Sequence, residues 1–202
     1  HSSKYFRWLT RMIFGIRSQT NLTRKQILRA SKCLQAVQSL KHLKLMTYSS
    51  NHLYLLAYFL KSLKRIESLV LDFSDFKFIQ NANAKRLFSS IKALNRLKDL
   101  KIEFCKAPFI NKQAIERLSA GISKLKTLKN ISFDFRESTF NPGVTNILSN
   151  FRAFKSLSTL TLDLSETQSM TDKILEHIAQ DLKRVPCLEK LEISLAYCSQ
   201  IT

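Results

Sequence analysis

The sequence predicts an α/β fold in which short parallel β-strands alternate with α-helices along the whole chain. An eleven-residue apolar template recurs seven times at nearly constant spacing, and helical apolar spacing follows several of its copies. At 202 residues, 45% hydrophobic and 3 Gly, the chain has ample apolar surface for a core. So few glycines argue against a sandwich that needs a tight turn every ten residues.

The template is clearest from Leu63 to Phe73, where places one, four, seven, nine and eleven are apolar. Copies start near residues 6, 37, 63, 94, 125, 154 and 185, so successive starts differ by 31, 26, 31, 31, 29 and 31 residues. A change in the spacing of apolar residues from three to two is typical of a chain that passes from the end of a helix into a strand. The template therefore predicts seven strands, with Leu69, Leu100, Ile131 and Leu160 at equivalent places on neighbouring strands.

Between the templates, apolar residues recur at helical spacing, and this predicts a layer of helices beside the strands. Three helices are clearest, marked by the apolar sets Ile115, Leu118 and Ile122; Ile147, Leu148 and Phe151; and Ile174, Ile178 and Leu182. The candidate N-caps are Thr23, Asn111, Asn141 and Thr171. One strand and one helix cannot bury their apolar faces alone, so the units must stack into a solenoid with a curved parallel sheet on the concave face and helices on the convex face.

The basic and apolar segment 4–14 permits two interpretations. It has the composition of a mitochondrial presequence or an amphipathic membrane helix. Its apolar residues also keep the spacing of the template, one period before Val37. The second interpretation, a first strand of the solenoid, is favoured.

The segment Leu97-x-x-Leu100-x-Ile102-x-x-Cys105 resembles the leucine-rich repeat family, and units of 29 to 31 residues with a helix are similar to its ribonuclease-inhibitor-like class. The resemblance covers residues 6–195 and implies a single array over 1–202 that serves as a non-catalytic binding scaffold. Other units carry Tyr48, Ser74, Arg136, Ser165 and Ala196 at the place of Cys105, so the hydrogen-bonded loop ladder of the family is not expected to be regular. The chain starts within a unit and stops after a strand, and we expect an array incomplete at both ends.

Charge suggests a nucleic-acid alternative. The formal net charge is +18, and residues 1–66 hold 13 basic residues and no acidic one. Cations recur where helices end and strands begin, among them Lys61, Lys64, Arg65, Arg96, Lys126, Lys155 and Arg184. They complement the negative ends of helix dipoles, or they align into a rim that holds the phosphates of RNA or DNA.

An acidic column is predicted on the strand face that points away from the core. Place ten reads Asp72, Glu103, Asp134 and Asp163 in four successive units, with Lys44, Lys101 and Asp99 nearby on the same face. Side by side, these carboxylates repel one another unless Lys101 and its neighbours, or a cationic partner, offset their charge. Either they bind a basic segment of a partner protein, or each accepts a backbone N–H from the loop that follows it.

Enzyme and metal chemistry have no sequence support. There is no Gly-rich phosphate loop, GxSxG, HExxH or CxxC, and we predict no catalytic residue, metal or cofactor. No apolar run is long enough to cross a membrane, and the scattered cysteines indicate a reducing, intracellular and cytoplasmic location. The predicted function is a protein-interaction scaffold within a larger protein or assembly; the alternative is a scaffold that contacts RNA or DNA within a ribonucleoprotein.

Overall fold

Strands and helices alternate along the chain. The computed structural model describes residues 9–16, 24–37, 39–47, 52–74, 81–106, 112–138, 147, 151 and 154–202. The elements are β1 Arg11–Ile16, α1 Arg24–Ala36, β2 His42–Thr47, α2 Leu53–Ser62, β3 Ser68–Asp72, α3 Asn81–Ile91, β4 Asp99–Glu103, α4 Lys112–Ile122, β5 Asn130–Asp134, β6 Thr159–Asp163, α5 Asp172–Leu182 and β7 Lys190–Ser194. Ile147 and Phe151, from the helix predicted between β5 and β6, are both buried.

The seven strands form one parallel sheet in chain order, β1 to β7. Leu69 lies opposite Leu100, Leu100 opposite Ile131, and Ile131 opposite Leu160, which confirms the predicted register. Met12 pairs with Leu43, so the described part of segment 4–14 is a strand of this sheet. The structure does not describe residues 1–8.

The core lies between the sheet and the helices because alternate strand residues point to one side. In β2 to β6, the residues at places seven and nine are at most 2% exposed, whereas their neighbours at place eight are half-buried or exposed. The helices contribute Phe59, Phe88 and Leu118 to the same core. Burying an aliphatic or aromatic side chain of this size stabilises the fold by roughly 1.5–3 kcal/mol, so the template holds the two layers together.

A row of phenylalanine rings runs through the core at place eleven. Phe73, Phe104 and Phe135 are nearly inaccessible to solvent, and their ring centroids are separated by 5.5 and 5.4 Å. Stacked aromatic pairs contribute about 0.5–1.5 kcal/mol beyond the burial of their area. Through this row, the cores of three successive units pack against one another in the direction perpendicular to the strands.

The apolar side chains of β7 are less buried than those at the same places of the strands before it. Leu191 and Ile193 are 45% and 37% exposed, although Leu160 and Leu162 at the same places in β6 are fully buried. Every residue of β7 is exposed.

The turn that follows the strand repeats its backbone geometry in four units. Lys106, Glu137, Glu166 and Tyr197 have positive φ angles between 53° and 60°. The N–H groups of the first three donate to carbonyl oxygens of the next unit at 2.8–3.2 Å. The strands and the turns after them therefore share one repeating conformation.

Side-chain ladders lie at both edges of the sheet. At the carboxyl edge, Thr167 Oγ1 donates to the Phe135 carbonyl at 3.3 Å, and Cys198 Sγ donates to that of Leu164 at 3.2 Å. At the amino edge, Thr127 Oγ1 and Ser156 Oγ donate to the Leu97 and Leu128 carbonyls at 2.7 and 3.0 Å. These hydroxyl and thiol groups form side-chain bonds between units. Two residues at the place of Cys105 do so as well, since Arg136 contacts Asp163 at 3.3 Å and Ser165 Oγ lies 2.7 Å from Ser194 Oγ.

The cap prediction is confirmed for the position of Thr171 but not for its side chain. It occupies the N-cap position of α5 with an extended backbone, but its side chain makes no capping hydrogen bond. The other candidate caps, Thr23, Asn111 and Asn141, lie outside the described residues, as does Leu148.

Candidate binding surfaces

One face of the sheet carries no described helix, and we call the side chains on it at places six, eight and ten the open sheet face. Over β5 and β6 this face consists of short polar side chains, mainly Asn130, Ser132, Thr159 and Thr161. In-register strands about 4.8 Å apart make the face continuous from β1 to β7.

The acidic column exists as the sequence predicts. Asp72 lies opposite Glu103, Glu103 opposite Asp134, and Asp134 opposite Asp163. Four carboxylates on adjacent strands repel one another unless cations offset them.

Lysines from two strands offset the first half of the column. Lys44 Nζ lies 2.9 Å from Asp72 Oδ2 and 2.8 Å from Glu103 Oε2, while Lys101 Nζ lies 2.8 Å from Glu103 Oε1. Burial disfavours the charged lysine, but hydrogen bonds to Glu103 and Asp72 outweigh it and raise the pKa of Lys44. Burial likewise opposes ionisation of Asp72, yet the bonds from Lys44 and Ser74 lower its pKa.

Arg136 offsets the negative charge of the second half of the acidic column, Asp134 and Asp163. Its guanidinium lies 2.8 Å from Asp134 Oδ2 and 3.3 Å from Asp163 Oδ2. The bond to Asp134 raises the pKa of Arg136, and despite burial the same contact lowers the pKa of Asp134. In the sequence, Arg136 stands out only as a departure from the ladder pattern, so its role in the column was missed.

The three aspartates also cap the loops that follow them. Asp72, Asp134 and Asp163 accept backbone N–H groups from Ser74, Arg136 and Ser165 at 3.1, 3.1 and 3.2 Å. The local interpretation of these residues is therefore confirmed.

The column has no vacant carboxylate for a partner, because all four members already have partners within the chain. A basic partner segment would have to displace Lys44, Lys101 or Arg136. Asp99, at the other end of β4, accepts a hydrogen bond from the Asn130 side chain.

A second surface lies at the amino edge of the sheet. We call the cations in segments 37–41, 63–67, 92–98, 123–129, 154–158 and 183–189, which lead into β2 to β7, the amino-edge strip. All twelve are exposed: Lys41, Lys64, Arg65, Lys92, Arg96, Lys98, Lys124, Lys126, Lys129, Lys155, Lys183 and Arg184. Six of the seven cations of the predicted rim belong to it, and the seventh, Lys61, is in the last turn of α2.

Only two carboxylates, Glu67 and Glu189, lie among the described residues of these turns. Glu67 Oε2 is 2.7 Å from Lys98 Nζ and Glu67 Oε1 is 3.1 Å from Lys41 Nζ. These bonds lower the pKa of Glu67 to about 2. The strip therefore has a strong excess of positive charge.

The carboxyl edge has the opposite character. The last strand residues and the turns after them carry two described cations, Lys106 and Arg136, and the carboxylates Asp72, Glu103, Asp134, Glu137, Asp163 and Glu166. Positive and negative charge are thus separated across the width of the sheet.

A polar depression of about 900 Å³ lies at the carboxyl edge of the last three units. Its lining includes Glu137, Glu166, Gln168 and the largely exposed Tyr197. Within the described part of the chain, no group of three or more His, Cys, Asp or Glu residues is arranged to hold a metal ion.

Comparison with known proteins does not assign the chain to a family. No family model matches the chain, and no curated protein matches it significantly. None of the helices in the described ranges has the length and apolar character needed to cross a bilayer.

Proposed function

We propose that the chain is a leucine-rich repeat array whose sheet forms the concave face, and that it works as a non-catalytic protein-interaction scaffold. Support for the array comes from the seven strands stacked in register and from the turn geometry that four of the units share. The partner protein binds the open sheet face.

The observation that carries this proposal is the preorganisation of the open sheet face. Lys44, Lys101 and Arg136 each form an ion pair with the acidic column. Side chains held in place lose little conformational entropy when a partner binds, which favours recognition. The paired charges also give the face a fixed pattern that selects a partner with complementary polar groups.

The experiment places a photo-crosslinking amino acid at Val70 or Ser132, on either side of Lys101 at the centre of the face. Both side chains are half-buried and lie outside the acidic column. We expect each position to give one discrete protein adduct when the protein is irradiated in cells that express it. The adduct should disappear when Lys101→Glu is added, because this substitution reverses the charge beside the label.

Matched controls carry the same label at Arg117 in α4 or Glu176 in α5, which are exposed on helices. We expect no discrete adduct from these positions. Equal adducts from both surfaces, or none from the open sheet face, would contradict the proposal.

A second candidate function, contact with RNA or DNA, is favoured by an independent observation. The amino-edge strip holds twelve exposed cations on a surface separate from the open sheet face. Such a surface attracts polyanions with strong dependence on salt.

A further inference from the structure

The charge of the amino-edge strip is not explained by helix ends. Among the described helices, only α2 has a basic residue in its last turn, Lys61; α1, α3, α4 and α5 have none there. The stabilising effect of a cation on the helix dipole falls off beyond the last turn. Most cations of the strip lie in the turns beyond it.

Most of the strip is also not used within the fold. Lys41 and Lys98 share Glu67, but the other ten cations make no ion pair with a carboxylate anywhere in the described ranges. Lys98 and Lys129 directly precede β4 and β5 and lie side by side in adjacent units, since the Lys129 N–H donates to the Lys98 carbonyl at 2.8 Å. The cations without an ion pair repel one another in the free protein, and this repulsion favours binding of an anion.

The strip offers no apolar anchor. The large apolar side chains that are exposed in the described structure are Ile13, Leu28, Tyr58, Leu191, Ile193 and Tyr197, and none lies in the turns of the strip. Protein partners are usually held by buried aromatic or aliphatic anchors. A surface of cations alone fits a chain of phosphates better than an acidic protein.

No described residue of the strip exposes an aromatic ring, and this distinguishes between nucleic acids. Proteins that bind single strands combine cations with aromatic side chains on which bases stack. Tyr58 lies in the middle of α2 and Tyr197 at the opposite edge of the sheet, so neither is placed beside the strip. A duplex keeps its bases stacked inside and presents only its backbone to such a surface.

We propose that the amino-edge strip binds the phosphate backbone of duplex nucleic acid without reading its sequence. The inference rests on the second candidate function and specifies its ligand; it is independent of the open sheet face. Five strand spacings separate β2 from β7, so the strip is at least about 24 Å long. A duplex with a phosphate charge per about 1.7 Å presents roughly seven phosphates on one side over that length.

The test measures binding of fluorescein-labelled 20-base-pair DNA and RNA duplexes by anisotropy over a series of KCl concentrations. We expect the logarithm of the association constant to fall with a slope of roughly −4.5 to −6.3 against log salt, for about five to seven phosphate contacts. Single strands of the same sequence, and poly-glutamate at equal charge, should compete at least tenfold less well than unlabelled duplex.

Two triple variants with the same change of net charge locate the site. Lys64, Lys126 and Lys155 occupy one place of the template within the strip, and Lys25, Arg29 and Lys32 are exposed on α1. Changing the first set to Ala should lower duplex affinity at least tenfold and reduce the slope by about three, since each lost phosphate contact removes about one unit. Changing the second set should alter affinity less than threefold.

Three results would overturn the inference. Equal losses from the two triple variants would place binding elsewhere, and tighter binding of single strands would remove the duplex preference. Equal competition by poly-glutamate would instead indicate an acidic protein partner. None of these results affects crosslinking from Val70 or Ser132, so the two proposals fail separately.

Discussion

Gly121 provides a sharp test of how closely neighbouring units pack. It is buried near the end of α4, and a Cβ added there would lie 2.5 Å from the Phe88 carbonyl oxygen of α3. In an exposed helix, Gly→Ala stabilises by about 0.8–1 kcal/mol. The contacted atom belongs to the backbone and cannot rotate away, so α3 and α4 must separate.

We expect Gly121→Ala to destabilise the protein. Overpacking typically costs about 1–3 kcal/mol, and a backbone contact belongs at the upper end of that range. After subtraction of the helix-propensity gain, the expected loss is about 2 kcal/mol, or roughly 4–8 °C in Tm for a chain of this size. Thermal and urea unfolding followed by circular dichroism measure it.

The exposed neighbour Ala120 provides the control, because Ala120→Gly tests helix propensity alone and should cost about 1 kcal/mol. If Gly121→Ala were as stable as the parent or more stable, α3 and α4 would not approach as closely as described, and the reasoning would be refuted.

Substitutions at three further positions test the core, the acidic column and the repeated turn. Phe104→Ala should lower the free energy of unfolding measured in urea by about 3–5 kcal/mol. Phe104→Leu should lower it clearly less, because Leu164 fills the same place one unit after Phe135. Equal losses would argue against the stacked row. Asp134 has a pKa lowered by Arg136 in the folded state, so its contribution is present above the unfolded pKa of about 3.9 and is lost as pH falls through the folded value. Below about pH 4 the parent should therefore lose stability more steeply than Asp134→Asn, and parallel pH profiles would contradict the pairing. At Glu166, φ is 60°, so Glu166→Gly should stabilise by up to about 1 kcal/mol and Glu166→Val should destabilise; the reverse order of Tm would exclude the left-handed turn.

Much of the sheet could be predicted because buried apolar residues recur at the same places of successive strands. Leu69 and Leu100 are identical in type and place, and a parallel register follows once each place faces the same core. The same argument predicted the alignment of the acidic column.

The partners of the acidic column could be predicted only in part, because the pattern places Lys44 and Lys101 on the same face but does not indicate Arg136. Arg136 occurs once, in a turn, and its bond to Asp163 depends on how far one side chain reaches across the sheet. The hydroxyl ladder was missed for a related reason: Thr127 and Ser156 are ordinary polar residues until the chain brings the Leu97 and Leu128 carbonyls beside them. Thr171 shows the converse, since a residue type suited to capping forms no cap bond.

Distances between spin labels test the central claim, that the strands lie side by side in chain order and in register. Ile13, Val70, Ser132 and Glu192 occupy place eight of β1, β3, β5 and β7. Pairs of labels would be introduced at these positions after the four native cysteines are replaced by serine.

Double electron–electron resonance should give equal distances for the pairs 13/132 and 70/192, each four strand spacings or about 19 Å apart. The pair 13/192, at six spacings, should be longer by about 10 Å, less any shortening by curvature of the sheet. A 13/192 distance equal to or shorter than the other two, or a clear inequality between those two, would contradict the ordered parallel sheet.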